Sequence, residues 1–322
     1  MKPRIVILGG AGAMGRITAR DLARRSRGVR VVVADRIPLA DRVPGVEAVA
    51  VDVADPRSLG RALRGAFAVI ASLPYRLNLV AMRGALAAGA HYVDLGGLFH
   101  VTRQQLALRR AFERRGLMAI LGMGSAPGIL NVMAVRGAHG MESVREVHCL
   151  VGAVDHTRFR APPPLGFGYA PDTLLDEFAM PSAVFRDGAF AMVPPLDPAE
   201  RIEIRFPPPV GTIQVDTTLH SEVATLPLHF ADRGIREVTF RQGFDPSFLA
   251  RLEFLVTLGL AGTEPVPLPA VAGGGPRTGR RGRGRRDLAM NGAAVVPRQV
   301  LLALLRRLPP AVPIGRQDRY EV

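Results

Sequence analysis

Gly10, Gly12 and Gly15 stand in the spacing G-x-G-x-x-G, directly after Gly9, and Asp35 follows at about the 20-residue distance at which a ribose-binding carboxylate is expected. Those residue types at that spacing describe a dinucleotide clamp. Gly10 permits a tight turn, Gly12 lets the backbone approach a pyrophosphate, and Gly15 lets a helix pack on the preceding strand. The free N–H groups and positive dipole end of that helix then face the phosphates, while Asp35 accepts the ribose hydroxyls. The same reading places Ala13 and Met14 in the clamp, Arg36 beside Asp35, Asp52 at the end of a third strand, and Ser72, Leu73 and Pro74 at the end of a fourth. A glycine-rich turn in some other α/β protein is the competing reading.

Several polar residues could act beside such a clamp. Asp94 ends a strand next to Gly96 and Gly97, where it would pair with a substrate ammonium or accept its proton; capping the following turn is its alternative role. His220 and Glu222 follow a strand further on and offer an imidazole as proton acceptor and a carboxylate for substrate, or form an ordinary polar turn. Arg241 lies among apolar neighbours, and its guanidinium suits bidentate capture of an amino acid's carboxylate, against a salt bridge to Glu177 or Glu222. Asn131, near a helix start, would either bond the nicotinamide amide or cap the helix. The histidines show no metal-ligand spacing, so no metal is expected. No G-x-S-x-G is present, which disfavours hydrolase chemistry, and the lone lysine, Lys2, disfavours Schiff-base chemistry.

The elements that must position these groups follow from periodicity. Arg4 to Leu8 is a nearly continuous apolar run, suited to a central parallel strand, and the next segment carries Met14, Ile17 and Leu22 at helical spacing. Strands are expected over Val29 to Asp35, Val46 to Val51, Phe67 to Ser72, His91 to Asp94 and Met118 to Leu121. Helices are expected over Pro56 to Leu63, Leu77 to Ala88 and Thr102 to Arg115. This alternation predicts a Rossmann domain, a doubly wound parallel sheet, over residues 1–125. Gly122 to Gly128 reads as a hinge. Residues 126–322 read as an α+β domain on a mostly antiparallel sheet, with a hairpin at Asp187-Gly188 and a low-complexity Arg/Gly loop over 273–286.

The formal charge of +14 suggests nucleic acid until its location is examined. Arg277, Arg280, Arg281, Arg283, Arg285 and Arg286 all fall in that Arg/Gly stretch, so no specific nucleic-acid partner is expected. Cys149 is the only cysteine, which points to a reducing compartment. No apolar run approaches a membrane span, and Met1 lies a few residues before the first strand, so a cytoplasmic protein without a leader is expected.

Taken together, GGAGAMG (9–15), AHYVDLGG (90–97), GSAPGILNVMA (124–134), LLDEF (174–178), LHSEVATLP (219–227) and TFRQGF (239–244) resemble the saccharopine dehydrogenase-like family, the group of saccharopine reductase and lysine 6-dehydrogenase. The resemblance spans about residues 4 to 260. It implies a Rossmann domain followed by a substrate and dimerisation domain, a homodimer and a nicotinamide cofactor; Asp35, which would repel a 2′-phosphate, leans the choice to NAD, with NADP as the other candidate. It also implies hydride exchange with an amine or imine carbon of an amino acid such as saccharopine or lysine. A non-catalytic dinucleotide sensor is the rival reading. The 273–286 run is not a pattern of that family, and the expected strand at Tyr320 suggests a shortened C-terminus.

Overall fold

The structure is a computed structural model and describes residues 2–39, 43–268, 294–309, 311–315 and 317–322. The expected Arg/Gly loop over 273–286 lies outside the described residues.

The first sheet is built from β1 (Arg4–Leu8), β2 (Arg30–Asp35), β3 (Val46–Ala50), β4 (Ala68–Ala71), β5 (His91–Asp94) and β6 (Ala119–Ile120). All neighbouring strands are parallel and the order is β3-β2-β1-β4-β5-β6. This is the doubly wound order, in which the winding reverses between β1 and β4 and opens a ligand crevice at their carboxyl ends. The helices between the strands are α1 (Ala13–Arg25), α2 (Pro56–Leu63), α3 (Asn78–Ala88), α4 (Phe99–Leu106) and α5 (Arg109–Glu113). The single helix expected over 102–115 is thus two short ones.

Alternation along the central strands explains the sandwich. Val6, Leu8, Val32 and Ala34 pack toward α2 and α3, with Leu59, Leu63, Ala81, Met82 and Ala85, while Ile7, Val31 and Val33 pack toward Ala19 and Leu22 of α1. Each such buried aliphatic side chain contributes on the order of 1.5–3 kcal/mol. The expected inner face of α1 is corrected here. Met14 and Ile17 are 56% and 61% exposed, and the buried line runs through Gly15, Ala19 and Leu22, whose small members let the helix lie close to the sheet.

The chain continues through α6 (Ile129–Gly137), β7 (Glu146–Asp155), α7 (Pro171–Ala179), β8 (Ser182–Arg186), β9 (Ala189–Val193), β10 (Ile202–Arg205), β11 (Thr212–Thr217), α8 (Glu222–His229) and β12 (Glu237–Phe244). After α9 (Pro246–Thr257) come the short pair β13 (Val266–Pro267) and β14 (Ala294–Val295), then α10 (Pro297–Leu305) and β15 (Arg319–Glu321). The second sheet has the order β10-β11-β12-β7-β15, with the β8–β9 hairpin attached to β12. The pairs β11–β12, β12–β8, β8–β9 and β15–β7 are antiparallel. The hairpin turns at Asp187 (φ 50°) and Gly188 (φ 81°), as the Asp-Gly pair predicts. Helices α7 and α8 had not been read from the sequence.

By its contacts the chain divides into two units. One comprises Met1–Val151, Met180–Ile202 and Val215–Gln242; the other comprises Gly152–Ala179, Glu203–Gln214 and Gly243–Val322. The second has its own tie, in which buried Arg298 donates to Ala261 O at 2.7 Å and pairs with buried Asp176 of α7. Among the described residues no helix is long and apolar enough to cross a membrane.

Candidate functional site

The loop after β1 is organised around Gly9, whose φ of 73° is a backbone region that favours glycine. A Cβ there would sit 2.2 Å from Ser72 O, so this residue, rather than Gly10, makes the tight turn and closes on the end of β4. Gly10 is required for a different reason: its Cβ would strike the Val33 side chain at 2.6 Å. Gly15 packs on the loop itself, since its Cβ would lie 2.4 Å from Gly9 O. Gly12 is the least crowded of the four, with Gly9 O at 3.2 Å from the place its Cβ would take, a tight approach to one backbone oxygen. It is also the N-cap of α1 and provides no side-chain cap.

Asp35 is engaged on both oxygens. The Ala11 N–H donates to Oδ2 and the Ile37 N–H to Oδ1, each at 3.0 Å, so the carboxylate holds the glycine loop in place. A carboxylate offers about four lone-pair sites, which leaves acceptor capacity for hydroxyl groups. At the neighbouring strand end, Ser72 Oγ is buried and has no hydrogen-bond partner among the described residues. An orphaned hydroxyl beside an uncapped helix N-terminus and a cradle that a Cβ would fill fits a nicotinamide dinucleotide. Leu73 and Pro74 continue the same turn. Asp52 accepts from the Ala54 N–H at 2.9 Å in its own turn, and Arg36 stays exposed beside Asp35.

The other candidates have partners within the protein. Asp94 is fully buried, and its carboxylate accepts from the Gly96 N–H (2.9 Å), the Gly122 N–H (2.8 Å) and Gln105 Nε2 (2.7 Å). It fastens two loops at the carboxyl edge of the sheet, which matches the turn-capping alternative of its two expected roles. Asp94→Asn replaces one acceptor by a donor facing Gln105, and is expected to lower the unfolding free energy by about 1–3 kcal/mol in a urea titration. A catalytic Asp94 would instead lose turnover without losing stability.

Asn131 caps: its Oδ1 accepts from the Gly128 N–H at 3.0 Å, and its Nδ2 donates to Thr225 Oγ1 at 3.1 Å. Of its two expected roles, this is the capping one.

Arg241 pairs with neither Glu177 nor Glu222. It donates to Thr239 Oγ1 (2.8 Å) and Glu200 O (3.2 Å) and forms an ion pair with Glu200 at 3.5 Å. Burial lowers its pKa, and Glu200 opposes that. Glu177 is bonded by the Tyr169 hydroxyl. Phe240 and Arg241 are consecutive in β12, so their side chains leave the strand on opposite faces. The His220 ring is stacked on Phe240 at 3.8 Å and 7°. His220 therefore lies against the face of β12 that carries Phe240, and Arg241 leaves the strand on the other face.

Glu200 is held by both Arg186 and Arg241, and the Arg186 hydrogen bonds set its carboxyl below the usual range. A depressed folded-state pKa gives stability that is present above the unfolded value of about 4.3 and is lost as pH falls through the folded value. The stability gap between the parent protein and Glu200→Gln should therefore narrow on acidification below about pH 4, which denaturant titrations from pH 3 to 7 would measure.

His220 and Glu222 remain as a pair. His220 Nδ1 bonds the Glu222 carboxylate, both residues are buried, and Glu222 Oε1 has no partner among the described residues. The Glu222 carboxylate, expected to serve substrate, thus holds the His220 ring through one of its oxygens. The surrounding core contains Cys149, whose thiol burial pushes up to about 12, with the Glu222 charge adding to the rise. A carboxylate against one imidazole nitrogen orients the ring and stabilises its protonated form, which equips the pair for acid–base work. The participation of Thr225 and Gln105 had no local sequence signal, since their partners lie 94 and 11 residues away.

The sheet order and glycine cradle define a nicotinamide dinucleotide-binding Rossmann domain. Residues 5–120 match the family described as the saccharopine dehydrogenase NADP binding domain. The fold extends further. Saccharopine dehydrogenase (L-Glu forming) from Saccharomyces cerevisiae is similar over 82% of this chain, with 18% identity and a TM-score of 0.57. The match covers 62% of that chain, so this protein spans less than two thirds of the yeast protein's length. A Rossmann-fold NAD(P)-binding family protein from Shigella flexneri (18% identity, 37% of this chain and 66% of that chain) has a TM-score of only 0.31. Uronate dehydrogenase from Agrobacterium tumefaciens (21% identity, 30% and 41%) reaches 0.25.

Proposed function

We propose that the chain is a nicotinamide dinucleotide-dependent oxidoreductase acting on a carbon–nitrogen bond of an amino acid, with saccharopine or lysine as the first substrates to try. One observation carries the reading: the contact unit that contains the glycine cradle also contains the buried His220–Glu222 pair. The family of the first domain and the name of the yeast structure support the substrate class.

A bound nicotinamide would supply the hydride-accepting carbon. The chain's own residues then have three tasks. Gly12 and the N-terminus of α1 hold the pyrophosphate, Asp35 the ribose, and Ser72 a polar group at the β1–β4 crevice. His220 takes the proton released from the amine nitrogen. Glu222 keeps the ring in orientation and offsets the positive charge that forms.

Asp35 also bears on cofactor choice, because its carboxylate repels a 2′-phosphate while accepting hydroxyls. NADH should bind more tightly than NADPH in fluorescence titrations. Because Asp35 also holds the Ala11 N–H, Asp35→Ala should weaken both, and the preference should shrink. An unchanged ratio would remove Asp35 from the ribose site.

A dinucleotide sensor is the second reading, favoured by the internal partners that occupy Asp94, Asn131 and Arg241. A crystal soaked with dinucleotide and lysine separates the two. The oxidoreductase reading expects the amine-bearing carbon within about 3.5 Å of the nicotinamide C4; a bound dinucleotide with no lysine beside it supports the sensor.

A further inference from the structure

Hydrogen bonds and close packing run without a break from the carboxyl edge of the first sheet to His220. Asp94 O accepts from the Met123 N–H at 2.8 Å, and its carboxylate holds Gly96 and Gly122 on either side. Pro127 fills the place a Cβ on Gly96 would need, 2.3 Å from its Cγ, and Pro127 O accepts from the Gly124 N–H at 2.8 Å. The turn ends at Gly128, whose φ of 134° again requires glycine and whose N–H donates to Asn131 Oδ1. The other end of the Asn131 amide reaches Thr225 Oγ1, and the Thr225 hydroxyl donates to Glu222 O at 3.2 Å. Glu222 in turn bonds His220.

The amide group of Asn131 is planar and rigid, so its two ends cannot move independently. A ligand that shifts the Gly122–Gly128 loop therefore moves Oδ1, and with it the Nδ2 that engages α8. Every residue in this chain of contacts lies in one contact unit. We propose that Asn131 and Thr225 are positioning residues that transmit dinucleotide occupancy at the sheet edge to the His220–Glu222 pair. The inference rests on the dinucleotide-dependent acid–base reading given above. It adds that dinucleotide binding changes the setting of the already formed pair. This arrangement would tie the setting of the acceptor to the presence of the hydride-accepting group.

The test uses the full chain with ring-labelled histidine, with the His220 signal assigned by its loss in His220→Gln. Saturating NADH should move the His220 ring resonances of the parent protein. Asn131→Asp keeps the acceptor for Gly128 but loses the donor to Thr225, and Thr225→Val loses the hydroxyl. Each should cut that response by roughly threefold or more, with NADH affinity changed less than about threefold. Thr225→Ser, which retains the hydroxyl, should keep the response. Melting curves establish that each variant is folded, and the two independent lesions guard against one that is not. A response of full size in both folded variants overturns the proposal, as does a parent protein whose His220 signal ignores NADH. Failure of the parent protein to oxidise any amino acid is a separate result: it removes the catalytic reading, while an NADH response that depends on Asn131 and Thr225 still supports the coupling.

Discussion

Gly12→Ala should melt within about 4 °C of the parent protein and bind NADH roughly tenfold or more weakly. The two halves of that expectation come from different atoms. Gly12 has φ −70° and ψ 170°, extended backbone open to alanine, and the added Cβ meets only Gly9 O at 3.2 Å. The fold therefore loses about 1 kcal/mol through a weaker N-cap, plus the cost of a shift of a few tenths of an ångström at Gly9 O. The same Cβ projects where a pyrophosphate must approach the helix N-terminus, so the loss falls on binding. Gly9→Ala and Gly15→Ala are the controls, because their Cβ atoms would sit 2.2 and 2.4 Å from backbone oxygens and should destabilise the domain itself. Calorimetry with NADH fluorescence titration reads both effects. Unweakened binding in Gly12→Ala would show that the phosphates lie elsewhere.

The second large effect is expected at His220. If it accepts the proton of the amine, His220→Ala should lower kcat by about 10²- to 10⁴-fold and leave NADH affinity within about twofold, since an acid–base group acts in the transition state. Removing a ring stacked on Phe240 also leaves a cavity in the core, so the melting temperature will fall in parallel. Glu222→Gln separates the two consequences. It preserves volume and removes the charge that stabilises the protonated ring, so turnover should drop while most of the packing survives. Equal turnover in parent protein and Glu222→Gln would take the pair out of the chemistry.

The first sheet was legible in the sequence because its central strands β1 and β2 are buried on both faces and so read as continuous apolar runs. The hairpin at Asp187-Gly188 was legible for a similar local reason. The inner face of α1 was misread because hydrophobic periodicity weights Met14 and Ile17, whereas close packing selects the small residues Gly15 and Ala19. Site roles were harder. Asp94, Asn131 and Arg241 look available in a linear chain, and their actual partners at Gly122, Thr225 and Glu200 lie 28, 94 and 41 residues away. Only the pairing of His220 with Glu222, two residues apart, was within local reach. Even there, the sequence could not say that Phe240 would set the ring on the face away from Arg241.

The most direct test mixes purified protein with NAD or NADP and with saccharopine or lysine across pH 7 to 10, and follows reduced dinucleotide by its absorbance. The account predicts formation that requires the amino acid, needs more dinucleotide in Gly12→Ala and falls at saturating dinucleotide in His220→Ala. Tight dinucleotide binding with no reduction by either amino acid, in either direction of the reaction, would contradict it.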